Sequence, residues 1–315
     1  MHIETCLSIL DLICFRVGNK SNPFHKYTYF LIIVPILCFT TNKAHSQENV
    51  YYPNFFSVTQ FHGSQFSPAY IPLEGRFEFT SGYKSLIGAF HNVANYYFSG
   101  SRTLRDSNGN THSFRVNFSN DKNGPYISSP KLMVNYAYKL RLASKTYITA
   151  GFAFGGAGIS YSAPSSTMSD IYVPDGNIGL TIQWRNVSLS GASMQIFNST
   201  SGQGTAPIIF HRYYQLYGSV YKDWYTGWKI TGNAMFRNLP YQYNQAWGGL
   251  SLEYKKHVSI GANLAISGTL SSFMSWTAHL GEDLLTISFV YNSNIFNKLP
   301  IWQDNIELGL NYVLR

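Results

Sequence analysis

The residues with the strongest claim to chemistry are the glycines of Gly151–Gly158 (GFAFGGAG), whose composition suits a loop that cradles phosphate. Such a loop converges backbone N–H groups on the anion and runs into a helix through Lys-Ser or Lys-Thr. Ile159-Ser160-Tyr161 follows instead, so the run carries no nucleotide site and reads better as small residues on the inner face of a strand. His62, His91, His112, His211, His257 and His279 occur singly, none with a partner at metal-ligand spacing. No Gly-x-Ser-x-Gly elbow presents a serine, which leaves hydrolysis only to a Ser, His and acid converging from distant strands. Glu282-Asp283 is a carboxylate pair by adjacency, but between two strand-like runs it reads as a solvated turn. Asn117-Phe118-Ser119, Asn186-Val187-Ser188 and Asn198-Ser199-Thr200 match glycosylation sequons, which Ser/Asn richness explains equally well. No catalytic, cofactor-binding or metal-binding residue is assigned, and the chain reads as a non-enzyme.

The elements that must position any site come from an unusual composition. Of 315 residues, 45% are hydrophobic, 17% aromatic and 12% charged, where a soluble domain carries about 25% charged residues. A mean hydropathy of −0.11 excludes a bundle of membrane helices. Low charge, many Tyr and Phe and no long apolar run fit a transmembrane β-barrel, whose strands alternate lipid-facing apolar with lumen-facing polar residues. The competing class is a Tyr-rich soluble β-sandwich.

Residues 1–46 read as a signal peptide. Lys20, His25 and Lys26 precede the apolar run Phe30–Phe39, and Ala44-His45-Ser46 offers small residues for cleavage before Gln47. A run of about ten apolar residues is signal-length, whereas a spanning helix needs ~20. Met1–Asn19 is open to reading as an over-extended start. Cys6, Cys14 and Cys38 all lie in this leader, so the mature chain is expected to be thiol-free. The leader also holds four basic and two acidic residues, which leaves 19 basic against 13 acidic and a surplus of six. These are scattered, without the clusters that nucleic-acid binding needs.

Past Gln47 the period is two. Asn177–Trp184, Trp228–Arg237 and Val258–Ser267 each put apolar residues on one face and small or polar residues on the other, at about the length a tilted strand needs to cross a bilayer. Less pure runs are Arg76–Gly82, Asn95–Ser99, Phe114–Phe118, Leu132–Arg141, Tyr147–Ser160, Val187–Ile196, Tyr213–Tyr221, Ala246–Tyr254, Ser272–Leu280, Leu284–Tyr291 and Ile306–Leu314. The fold class is therefore all-β, an antiparallel transmembrane outer-membrane barrel of about 12–14 strands over residues 76–315, after an irregular segment 47–75. Tyr213, Tyr214, Tyr221, Trp224, Tyr225 and Trp228 suggest an aromatic girdle. Turn residues predict longer loops at Ser101–Ser113, Asn120–Pro130, Ser162–Asp175 and Asn198–Pro207, and tight turns at Lys255-Lys256 and Gly281–Asp283. The inward residues read as small and neutral, without the charged ring of a selective pore.

Several elements occur in the order of a known family. They are Ser67-Pro68-Ala69-Tyr70 with Gly75, the basic strand Tyr136–Arg141 before the glycine-rich Tyr147–Ser160, Pro174-Asp175-Gly176-Asn177-Ile178-Gly179, His211–Tyr221, and Pro240-Tyr241-Gln242. In this ordered set the chain resembles the PorP/SprF family of type IX secretion system membrane proteins. The resemblance implies an outer-membrane accessory of that system, which assists secretion or surface anchoring of cargo, gliding adhesins being one class. It implies as partners outer-membrane lipid, cargo bearing a C-terminal sorting domain and other secretion components, with no cofactor and no nucleic acid. Arg102, Arg105, Asp170, Asp175, Ser199 and Thr205, all in expected loops, are the candidates for cargo contact. The alternative is a porin-like channel for small solutes.

Overall fold

In the computed structural model the described residues are 50–315, apart from 54–55, 59–62, 73–74, 89–91, 163–169, 202–207 and 296–303. The expected leader, 1–46, lies outside them. Where the sequence alternates, the backbone is extended, and each extended run pairs antiparallel with the next. The wall begins β1 (Phe77–Leu86), β2 (Val93–Arg105), β3 (Thr111–Asn123), β4 (Ile127–Ala143), β5 (Thr146–Tyr161), β6 (Ile171–Trp184) and β7 (Val187–Met194). A small hairpin follows, β8 (Thr200–Ser201) and β9 (Ile208–Ile209), outside the wall. The wall resumes with β10 (Tyr213–Asp223), β11 (Trp228–Asn238), β12 (Gln245–Tyr254) and β13 (Val258–Ala265). It ends with β14 (Thr269–Leu280), β15 (Asp283–Asn294) and β16 (Asn305–Leu314), and β16 pairs with β1 from Phe77↔Leu314 to Leu86↔Asn305. The result is a closed barrel of 14 strands. Every alternating run expected from the sequence is a wall strand.

The pleat sorts the side chains. On β5, Phe152 and Phe154 are more than half exposed while Ala153 between them is buried; outward means toward lipid, and the apolar band lies there. Trp184, Trp228, Tyr254 and Trp276 stand outward toward one end, with the Trp228 and Tyr254 rings 4.5 Å apart. Tyr213, expected in the girdle, is instead fully buried, because its position on β10 has inward parity. Arg102 is outward too, its guanidinium over the Phe77 ring at 5.6 Å. It sits near the end of β2, where a lipid-facing Arg costs roughly 0–1 kcal/mol, against roughly 2–4 at the midplane.

Three expected loops are shorter than the sequence suggested. β2 and β3 continue to Arg105 and Thr111, leaving only Asp106–Asn110 as a turn. Asp106 Oδ1 accepts from Asn110 N at 2.8 Å, and Gly109 takes φ +81°. The turn chemistry thus occupies the apex while polar flanks keep pairing. Likewise β3 and β4 run into Asn120–Pro130, and β6 takes in Pro174 and Asp175. Pro174 lies where β6 has no partner on β7, since that pairing starts at Ile178↔Ser193, an edge position that suits a strand proline.

Connections at the end bearing 106–110, 144–145, 185–186, 224–227, 255–257 and 281–282 are tight. Those at the other end include 162–170, 195–212 and 295–304. Barrels of this kind keep short turns in the periplasm and longer loops outside, so the ends are named here the turn mouth and the loop mouth. Purified from outer membranes, the protein is expected to migrate faster unboiled than boiled on detergent gels, because a closed barrel resists unfolding until heated; identical mobility would contradict closure.

Candidate functional site: an occupied lumen

The irregular segment before β1 lies inside the barrel, entering at the loop mouth. Val50 bridges Ile209 of β9 in parallel, and Tyr51 N donates to Ile209 O at 3.0 Å. The Tyr51 hydroxyl donates to Asp121 Oδ2 at 2.7 Å. Burial, with the Asp121 carboxylate alongside, pushes this phenol well above its usual range, so it stays a donor. Tyr52 sets its ring edge-on to Tyr213 at 5.6 Å. Deeper, Ser57 is gripped by Glu307 of β16: its N and Oγ donate to the carboxylate at 2.9 and 2.7 Å. Lys84 pairs with the same carboxylate at 3.0 Å, and Asn292 donates to it at 3.0 Å. Val58 packs between Phe273 and Val290.

Below this the chain makes one helical turn, α1 (Gly63–Phe66). Ser64 hydrogen-bonds Tyr97, and Gln215 donates to Phe66 O. Then comes Ser67-Pro68-Ala69-Tyr70. Asn135 Nδ2 donates to Pro68 O at 3.0 Å, and Arg115 Nη2 to Tyr70 O at 2.5 Å with its guanidinium over the Tyr70 ring. Two wall glycines make room for this approach. A Cβ on Gly151 would fall 2.2 Å from Pro68 O, and one on Gly179 would fall 2.8 Å from Ser67 Oγ. The glycine-rich run that resembled a phosphate loop thus begins with a seat for another stretch of backbone. Gly75 ends the segment at φ +86°, in contact range of the end of β16, and the chain turns there from the lumen into the wall.

Of the motif positions, Pro68, Ala69, Asp175 and Gly179 meet in the lumen region, where Asp175 pairs with Lys131 at 2.5 Å. Pro174 and the Pro240–Gln242 turn stand at the loop mouth, where Ser199 Oγ donates to Pro174 O at 2.6 Å and Gln242 N to Leu239 O at 3.1 Å. The cargo candidates do not form one surface. Arg102 and Arg105 are at the turn mouth, Asp170 and Ser199 at the loop mouth, Asp175 is a buried wall residue, and Thr205 lies outside the described residues. Asp170 is engaged locally, accepting from Ser160 Oγ at 2.7 Å.

The expectation of a small, neutral lumen is corrected. Arg115 is 2% exposed and Glu307 1%, and Glu78, Asp121, Asp175 and Arg237 are likewise buried on inward faces. They are held because the segment and the wall supply partners for the charges. The signal was present: Glu307 stands between Ile306 and Leu308, a charge at an inward position within an alternating run. At the turn mouth an open vestibule of about 980 Å³ is bordered by Arg76, Arg105, Lys256 and Arg315. Among the described residues no group of His, Cys, Asp and Glu is placed to hold a metal. The His257 and His279 rings meet edge-on with centroids 5.1 Å apart, and the His211 ring centroid lies 4.4 Å from that of Tyr241.

An apolar outer band, a polar interior and alternating tight and long connections define an integral outer-membrane β-barrel. Two solved structures share the fold: the Ralstonia pickettii toluene transporter TbuX (TM-score 0.54, 10% identity, 80% of this chain and 92% of that one) and the CymD monoaromatic hydrocarbon channel (0.51, 12%, 80% and 92%). No curated protein matches the chain. Residues 44–312 match the family described as type IX secretion system membrane protein PorP/SprF, and the chain belongs to that family. It is a family of secretion-system membrane barrels rather than of enzymes.

Removing the Glu307 carboxylate tests how the segment is held. Glu307→Ala is expected to weaken its attachment by ~1.5–3 kcal/mol, the usual worth of a hydrogen bond to a charged group. Hydrogen exchange at residues 50–58 should rise while the wall strands stay protected; unchanged exchange there would refute the anchor. Single alanines at His211, His257 or His279 should leave secretion intact at normal membrane levels, and a lost function from any of them would reopen catalysis.

Proposed function

We infer that this barrel is an accessory scaffold of type IX secretion, helping to export cargo proteins or to anchor them at the surface through protein contacts. Membership of the family supports a role in that system. The observation that favours a scaffold over a conduit is the lumen, filled from the loop mouth inward by the chain's own segment with wall residues bonded to it. In this reading the loop face, with Asp170 and Ser199, meets cargo that carries a C-terminal sorting domain, gliding adhesins among them. The basic turn mouth with Arg105 meets periplasmic machinery. Loops are where partners dock, while wall strands set stability.

The rival reading, a small-solute channel, draws on the likeness to transporter and channel folds. It asks the segment to leave the lumen open, which the bonds to Glu307, Asn135 and Arg115 oppose. Affinity purification of the intact protein is expected to bring down one or a few large exported chains. Shortening Ser199–Thr205 should weaken that capture and spare the heat-modifiable barrel. Steady ion conductance in planar bilayers without protein capture would hand the function to the channel reading.

A further inference from the structure

Five of the wall side chains that hold the N-terminal segment address its main chain, beside side-chain contacts such as Tyr51 with Asp121. Arg115 donates to Tyr70 O at 2.5 Å, Asn135 to Pro68 O at 3.0 Å, Gln215 to Phe66 O and Asn263 to Ser57 O at 3.1 Å. The Glu307 carboxylate accepts from Ser57 N at 2.9 Å. These five residues stand on five strands, β3, β4, β10, β13 and β16, so the grip runs round the wall and along the lumen. Each reads a group that every polypeptide carries. The Gly151 and Gly179 seats make the same point sterically, since they admit backbone and the small Pro68 ring where any wall side chain would collide. Asn233, buried on the inward face of β11, has neither amide atom hydrogen-bonded among the described residues, so the wall holds main-chain-reading capacity that the described part of the segment does not use.

We propose that the lumen is a binding site for an extended polypeptide read through its main chain, with residues 50–53, 56–58 and 63–71 in the place of resident occupant. A segment of an exported protein takes the same place when the resident leaves. The class of ligand follows from the wall. It is extended and largely uncharged, with a small or proline residue at the Gly151–Gly179 level and an aromatic ring two residues later under Arg115, as Pro68 and Tyr70 provide. The exchange with a partner rests on the secretion reading above; the site itself does not. A tethered resident competes at an effective concentration on the order of millimolar, so an incoming segment prevails only when its own protein is already docked nearby.

The test uses the full chain, folded intact, with a protease site inserted between Leu73 and Glu74 and cut after folding. The probe is a labelled synthetic peptide of residues 50–72. With Cys6, Cys14 and Cys38 replaced by Ser, Val58→Cys with Val290→Cys, two positions that pack in one cluster, gives two addressable thiols that a short reducible cross-linker can bridge. The cut chain is expected to take up the peptide. Bridging should cut uptake at least tenfold, reduction should restore it, and a peptide with altered side chains but Pro68, Ala69 and Tyr70 kept should bind within a few-fold. No uptake by the unbridged chain, or equal uptake by the bridged one, would overturn the lumen site. In the uncut chain, bridging should also abolish capture of the exported protein that co-purifies. Peptide uptake with no exported protein captured by the unbridged chain would sink the secretion reading and the exchange while leaving the site standing. Capture that survives bridging would overturn the exchange alone.

Discussion

Closure of the sheet, with β16 laid against β1 from Phe77↔Leu314 to Leu86↔Asn305, is the constraint from which the rest follows. Hydrocarbon offers no hydrogen bonds, so an open edge of N–H and C=O groups would be very costly there. Once 14 strands close, they enclose a space that must also be accounted for. Buried inward charges such as Arg115 and Glu307 need partners, and the chain supplies them by folding the segment that precedes β1 inside. Wall and filling are therefore interdependent. The wall's charges hold the segment, and the segment satisfies the wall.

The wall was largely legible because its determinant is local. In Trp228–Arg237 the period of two is nearly uninterrupted, and β11 spans Trp228–Asn238. What was misjudged was where strands stop. Polar flanks around Asp106–Asn110 resembled loop, yet beyond the bilayer a strand pairs as well with Arg105 or Thr111 as with Phe114. Strand ends there are set by turn geometry at Asp106 and Gly109 rather than by hydrophobicity. Likewise Tyr213 resembled a girdle residue by type, although its parity on β10 points it inward.

The interior was far less legible. Ser67-Pro68-Ala69-Tyr70 stood out only through family resemblance, and nothing local marks it as a piece that docks on Asn135, Gly151 and Gly179. Its partners lie across the sequence and are chosen by where the closed wall puts them. Averaging over inward positions hid the charges as well. Many are Gly, Ser, Thr or Asn, and the few that are Glu307 or Arg115 do the holding.

The Ser57–Glu307 contact joins residues 250 apart. Contacts of that separation form late, since the entropy of closing so long a loop is lost before any reward arrives. The segment that precedes β1 therefore waits for the last strand before it is fixed. A segment 20 or so residues long must be laid inside an incomplete wall, or drawn through a mouth after the wall is complete. The first order is the less hindered, and it makes the moment at which β16 meets β1 a kinetic checkpoint: any polypeptide not inside by then must afterwards pass through a mouth.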